Sequence, residues 1–392
     1  MDQDHCREAE EKLSGITSPA QTTRSQLLLM PPEEKLQHFE ASAQAHEDSG
    51  QYDACIQDLV RCVALVRLVY GKEHLKEAQA HSRLAKAYLQ LKGWAPQALE
   101  HVSSARQILV LGSGDRLELK LCLLSLCLTQ GAAALITHKY PFERERGLGW
   151  TVLDLCTAAE AESAFLQAEQ ILGPLAESGA LLQEHRCDTE LEICTGLTRV
   201  YRSQGQLEQA LSRCERSLQL LKDLEQPERS WCVYRNMGHI QEEQGHVEEA
   251  VQLLSKAHSM LLTRTLPEEK EGAGLSHSLA LLLSTSAHGQ DKERAEDYFE
   301  QSLTLYRTSV GEKDQAYLTA QDDYCRFLLL RGQQERCAEL LGASLPSKRA
   351  LFGEMSAEVA DTLQLLGSVE MSLGQMSRAY RSMRQTHKFH LC

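Results

Sequence analysis

The sequence lacks most of the features that mark a catalyst. Its 13 cysteines contain no C-x-x-C pair, and the spacings of Cys and His match no structural zinc pairing. No Walker phosphate loop, G-x-G-x-x-G, G-x-S-x-G or H-E-x-x-H occurs. Gly112-Ser113-Gly114 and Gly272-Ala273-Gly274 lack the strand context that phosphate-cradling loops require, and read as linker turns. The reading is therefore of a chain that is not an enzyme, with no catalytic, cofactor-binding or metal residues assigned and no cofactor expected. Acidic pairs such as Glu242-Glu243 and Glu248-Glu249 fall at solvent-facing helical positions beside a turn, where a carboxylate has no dry pocket to shift its pKa.

Basic clusters and long apolar runs are also missing. With 41 Lys and Arg against 55 Asp and Glu, the formal net charge is -14 and the pI about 5.6. Phosphate binding depends on clustered positive charge, so nucleic acid is excluded as a partner class. The first residues, Met1-Asp2-Gln3-Asp4-His5-Cys6, are acidic where a signal peptide is basic, and the run 27–30 is too short for its apolar region. The most apolar segment, 117–128, holds Glu118, Lys120 and Ser125 and is shorter than the roughly 20 residues of a span, so no membrane insertion is expected. Cysteines without a secretory signal remain thiols in a reducing compartment, which implies a cytoplasmic location.

What the chain does have is 42% hydrophobic residues with only 5% aromatics, arranged with a period. Gly50, Gly93, Gly205, Gly245, Gly332 and Gly374 each separate two amphipathic segments, and glycine suits a helix stop because it enters the left-handed region without a Cβ clash. Five residues after each comes a small side chain: Cys55, Ala98, Ala210, Ala250, Cys337 and Ala379. Four further on lie Leu59, Val102, Cys214, Leu254, Leu341 and Met383; three beyond those lie Cys62, Ala105, Ser217, Ala257, Ser344 and Thr386. Offsets of four and three share one face of a 3.6-residue helix, so each second helix shows its partner a small-large-small stripe. The preceding helices carry Leu84-Ala85, Leu197-Thr198, Met237-Gly238 and Leu366-Gly367, with Tyr88 and Tyr201. Ala295, Phe299 and Ser302, after the helical stretch 275–286, mark a further degenerate hairpin, and Ala161, Phe165 and Ala168 mark another after 121–137. Cys55, Cys62, Cys325 and Cys337 are read as packing residues at small positions.

This pattern is that of the tetratricopeptide repeat family. It predicts an all-α fold, an α-solenoid with a right-handed superhelix, built from about seven to eight helical hairpins. Turn glycines recur at intervals longer than the family's usual period of about 34 residues. Tyr70-Gly71, Val310-Gly311 and Phe352-Gly353 begin the longer stretches, and this resembles the repeats of kinesin light chains. One hairpin cannot bury its own apolar face, so each leans on its neighbours.

The expected organisation is a flexible tail over 1–30, a repeat solenoid over 31–386 and a short tail over 387–392. Pro31-Pro32 followed by Glu33 and Glu34 make a helix entrance. An irregular insertion is expected at 138–156, where Tyr140-Pro141-Phe142 and Gly147-Leu148-Gly149-Trp150 replace a short turn and read as a tolerated loop rather than a binding element. First helices line the inner groove of such repeats, making Arg199, Arg202, Arg235 and His239 the candidate partner-groove residues for an acidic or C-terminal group. The Lys and Asn set of carboxylate-clamping repeats is not reproduced.

Three runs are more specific: Leu59-Val60-Arg61-Cys62-Val63-Ala64-Leu65, Leu89-Gln90-Leu91-Lys92-Gly93 and Ala105-Arg106-Gln107-Ile108-Leu109. With Ala295-Glu296, Tyr298-Phe299 and Leu365-Leu366-Gly367, they resemble one branch of the tetratricopeptide repeat family, from about Pro31 to Thr386. The third hairpin of that branch is continuous where this chain has 138–156, and the branch continues past Cys392, so a variant isoform is expected. The resemblance implies a protein-binding scaffold or adaptor at the base of the primary cilium, acting with Ellis–van Creveld complex components to support Hedgehog (Smoothened) signalling. The alternative is a cytoplasmic transport adaptor of the kinesin light chain type.

Overall fold

A computed structural model describes residues 29–111, 116–139, 152–263, 269–285 and 289–389. All regular structure among these is helical. The repeats, expected as one array over 31–386, divide into two compact units at Gln206/Leu207. The first holds α1 (Pro32–Asp48), α2 (Tyr52–Tyr70), α3 (Leu75–Lys92), α4 (Ala95–Leu111), α5 (Arg116–Lys139), α6 (Val152–Glu177) and α7 (Gln183–Ser203). The second holds α8 (Leu207–Asp223), a 3-10 turn at Pro227–Ser230, α9 (Trp231–Glu243), α10 (Val247–Leu262), α11 (Glu269–Ser284), α12 (Gly289–Ser309), α13 (Gln315–Leu330), α14 (Gln334–Phe352), α15 (Ala357–Ser372) and α16 (Met376–Phe389).

In the first unit α1 pairs with α2, α3 with α4 and α5 with α6; in the second α9 pairs with α10, α11 with α12, α13 with α14 and α15 with α16. Each second helix also touches the next first helix, and first helices meet one another: α3 with α5, α5 with α7, and α11 with α13. Within each unit this is the hairpin stacking the sequence period requires.

The stripes are where the pattern places them. All three members of each are buried, except that Met383 in α16 stays half-buried. Three of the large residues, Phe165, Leu254 and Met383, face a glycine backbone. A Cβ on Gly238 of α9 would lie 2.7 Å from Leu254 Cγ, and one on Gly367 of α15 would lie 2.9 Å from Met383 Cγ. Phe165 of α6 is gripped from two sides: a Cβ on Gly131 of α5 would sit 2.7 Å from its Cε2, and one on Gly196 of α7 would strike the same ring more closely still. Interiors packed to crystal density leave no slack for such atoms.

The glycines expected to stop helices all lie in the left-handed region, as do Gly71, Gly311 and Gly353. The last three explain the long period. Each ends a second helix and is followed three residues later by a side chain that caps the next first helix. His74 Nδ1 accepts from the Lys76 amide at 3.1 Å, Asp314 Oδ1 from Ala316 at 2.8 Å and Ser356 Oγ from Val359 at 3.3 Å.

Three boundaries differ from expectation. Helix α16 continues to Phe389, past the limit set at 386; the expected tail 1–30 lies outside the described residues up to 28. At the expected insertion, α5 runs to Lys139 and α6 starts at Val152, so 138–156 is helical at both margins and 140–151 lies outside the described residues. The apolar segment read as 117–128 is also longer, because Gly131-Ala132-Ala133-Ala134 carries the helix on. Arg116–Ile136 is long and apolar enough to cross a membrane by length and composition, yet half of its window is buried inside the unit, where α5 packs on α6 and touches α3, α4 and α7.

Candidate partner-binding grooves

In the first unit, the first helices α3, α5 and α7 bound a groove of about 470 Å³. Helix α5 supplies an apolar floor of Leu121, Leu124, Leu128, Ala132 and Ile136. Helix α3 contributes Lys86 and Gln90 on one rim, and α7 contributes His185, Thr189 and Glu192 on the other. Residues 185, 189 and 192 follow the three- and four-residue spacing that keeps them on one face of α7. The Glu192 carboxyl is reached by water but walled by protein, so desolvation raises its pKa above the ordinary value while the Lys86 ammonium works in the opposite direction.

A second groove, of about 350 Å³, lies between α13 and α15 in the other unit. Its lining mixes polar side chains, Asp322 and Arg326 from α13 and Asp361, Thr362, Gln364 and Ser368 from α15, with the apolar Leu365. Beneath it Lys348 of α14, 1% exposed, donates to the Asp322 carboxylate and to Thr362 Oγ1. Burial raises the Asp322 carboxyl above its ordinary range even though Lys348 holds it down. In neighbouring Asp323, burial acts upward but is outweighed by His277 Nε2 at 3.0 Å and by Arg326, leaving its pKa lowered.

The four residues singled out in the sequence fall in both units. Arg199 and Arg202 lie near the end of α7, the first exposed and the second half-buried. Arg199 is seven residues beyond Glu192 and so shares its face, three past the buried Gly196. On α9, Arg235 stacks over the Trp231 ring at 5.1 Å and His239 Nδ1 meets Glu242 at 3.2 Å. These two stand three before and one after Gly238, the register of Gln364 and Ser368 about Gly367 and of Asp322 and Arg326 about Cys325. The sequence reading missed Lys86, Glu192 and the α5 floor. Among the described residues no group of three or more His, Cys, Asp or Glu is placed to hold a metal ion.

A family model described as tetratricopeptide repeat matches residues 195–263. Over 360 residues the chain is 31% identical to human tetratricopeptide repeat protein 23, covering 91% of this chain and 77% of that protein. The chain belongs to the tetratricopeptide repeat protein 23 family. The cattle member of the family is 30% identical over 365 residues, again covering 91% of this chain and 77% of its own length. Among solved structures, BtubC (BKLC) from P. vanneervenii superposes with a TM-score of 0.51 at 17% identity, over 60% of this chain and 91% of that one. That likeness speaks to the fold alone.

Proposed function

We propose that this chain is a non-enzymatic protein-binding scaffold of the tetratricopeptide repeat type. The observation that carries the reading is the α3–α5–α7 groove, where folded helices leave an apolar floor open between charged rims. Leu121, Leu128, Ala132 and Ile136 of that floor keep part of their apolar surface open, which suits a protein segment. The finer reading is a cytoplasmic adaptor at the base of the primary cilium, working with Ellis–van Creveld complex components in Hedgehog (Smoothened) signalling. It is supported by the sequence resemblance quoted above and by family membership. In it, Arg199, Arg202, Arg235 and His239 meet acidic or C-terminal groups of the partner, the α9 pair from the register already occupied by groove residues in α13 and α15.

Proximity labelling with the full chain in ciliated cells tests this. Enrichment of ciliary-base proteins, Ellis–van Creveld components among them, is the expected result. Recovery of chaperones alone would remove the ciliary reading, and enrichment of motor heavy chains would replace it with a transport adaptor of the kinesin light chain type.

A further inference from the structure

Helix α5 carries more apolar surface than its packing uses. Half of the apolar window Arg116–Ile136 is buried in the unit, as in any core helix, but the groove face is apolar too. Leu121, Leu124, Leu128, Ala132 and Ile136 recur every three or four residues along about 22 Å of helix, and all but Leu124 remain partly exposed. The floor's two hydroxyl side chains are engaged within the unit: Thr129 Oγ1 donates to the Ser125 carbonyl at 2.9 Å, and Ser82 Oγ donates to Ser125 Oγ at 3.1 Å. An extended peptide pressed onto this floor would bury backbone N–H and C=O groups without partners, which is costly. A helix arrives with those groups already bonded to one another. The rims add charge of opposite sign, Lys86 on α3 and Glu192 on α7, both exposed.

We propose that this groove docks a single amphipathic α-helix of a partner protein, about four turns long. Its apolar stripe lies along α5, with acidic side chains on the flank beside Lys86 and basic ones on the flank beside Glu192. The proposal rests on the protein-binding reading above and gives it a ligand class.

The test uses the intact chain and three labelled 16-residue model helices that share one leucine stripe. One has an acidic and a basic flank, one has two acidic flanks and one has two basic flanks; affinities are read by fluorescence anisotropy. The mixed-flank helix is expected to bind about fivefold more tightly than either of the others, the scale of an exposed ion pair gained against one lost. Lys86→Glu makes both rims acidic and should move the preference to the two-basic helix; Glu192→Lys should move it to the two-acidic helix. Leu128→Glu should weaken all three by about tenfold or more, with an unchanged thermal melt. Equal binding of the three helices, or a preference that ignores both charge reversals, overturns the proposal. So does binding to phosphatidylcholine–phosphatidylserine vesicles that Leu128→Glu abolishes while none of the helices binds. If proximity labelling stays intact in Leu128→Glu and Lys86→Glu, the groove is refuted and the scaffold reading stands.

Discussion

Phe165 shows how little room a single side chain has in this fold. Its ring fills the space left by Gly131 and Gly196, so Gly196→Ala is expected to destabilise the first unit by about 1–3 kcal/mol through overpacking. Urea denaturation checks the size, and combining the change with Phe165→Leu should recover part of the loss. Lys348 is the ionic counterpart. Removing its ammonium alone, as Lys348→Met, leaves the half-buried Asp322 carboxylate without its hydrogen-bonded cation and only Arg326 nearby, with an expected loss of about 1–3 kcal/mol. The double replacement Lys348→Met with Asp322→Leu should recover most of it, which a double-mutant cycle measures.

His81 and His101 add a dependence on pH. Their Nδ1 atoms lie 2.9 Å apart, a distance that accommodates one proton between them, and Tyr88 stacks on His101. Burial lowers both pKa values below 6.5; in His81 the like charge of His101 and Arg67 acts the same way against Glu77, and in His101 Glu100 opposes the shift. A depressed folded-state pKa means the unfolded chain takes the proton more readily, so stability falls as pH drops through the unfolded value near 6.5. Denaturation midpoints should decline between pH 7.5 and 5.5, and His101→Gln should flatten the decline; His258, also lowered by burial, keeps a residual slope in the second unit.

At the scale of the element, the caps after Gly71, Gly311 and Gly353 are the working parts of the long period. Asp314→Ala and Ser356→Ala should each cost about 1 kcal/mol, seen as a lowered melting temperature. Most of this was legible in the sequence. The small-large-small stripes and turn glycines give hairpins directly, because an offset of seven fixes a face whatever its neighbours do. The caps were not, since His, Asp and Ser look unrelated until the backbone aligns them. The floor of α5 escaped for the opposite reason: a helix apolar on both its core face and its groove face has no periodic contrast to read. Arg199, Arg202, Arg235 and His239 were all chosen for lying on first helices; the α9 pair shares the register of the groove residues in α13 and α15, and the α7 pair stands off it.

For the whole molecule, division into two units makes stability local. Each hairpin leans on its neighbours, so a defect should spread along one unit and fade. Hydrogen exchange on Gly196→Ala should show protection lost in α5, α6 and α7, with α11 to α16 close to wild type; uniform loss would contradict the division. The net charge of -14 bears on the molecule as a whole too, favouring partners whose surfaces are basic or neutral overall.

The double grip on Phe165 also governs how the array can be rebuilt. Because one ring occupies the gaps left by a glycine in its own hairpin and a glycine in the next, the third hairpin is not an interchangeable part. A protein engineer who spliced in a consensus repeat would leave either a hole or a collision at the seam. Transplants should succeed only when α5, α6 and α7 travel together, and the smallest heritable module here is therefore a hairpin and a half.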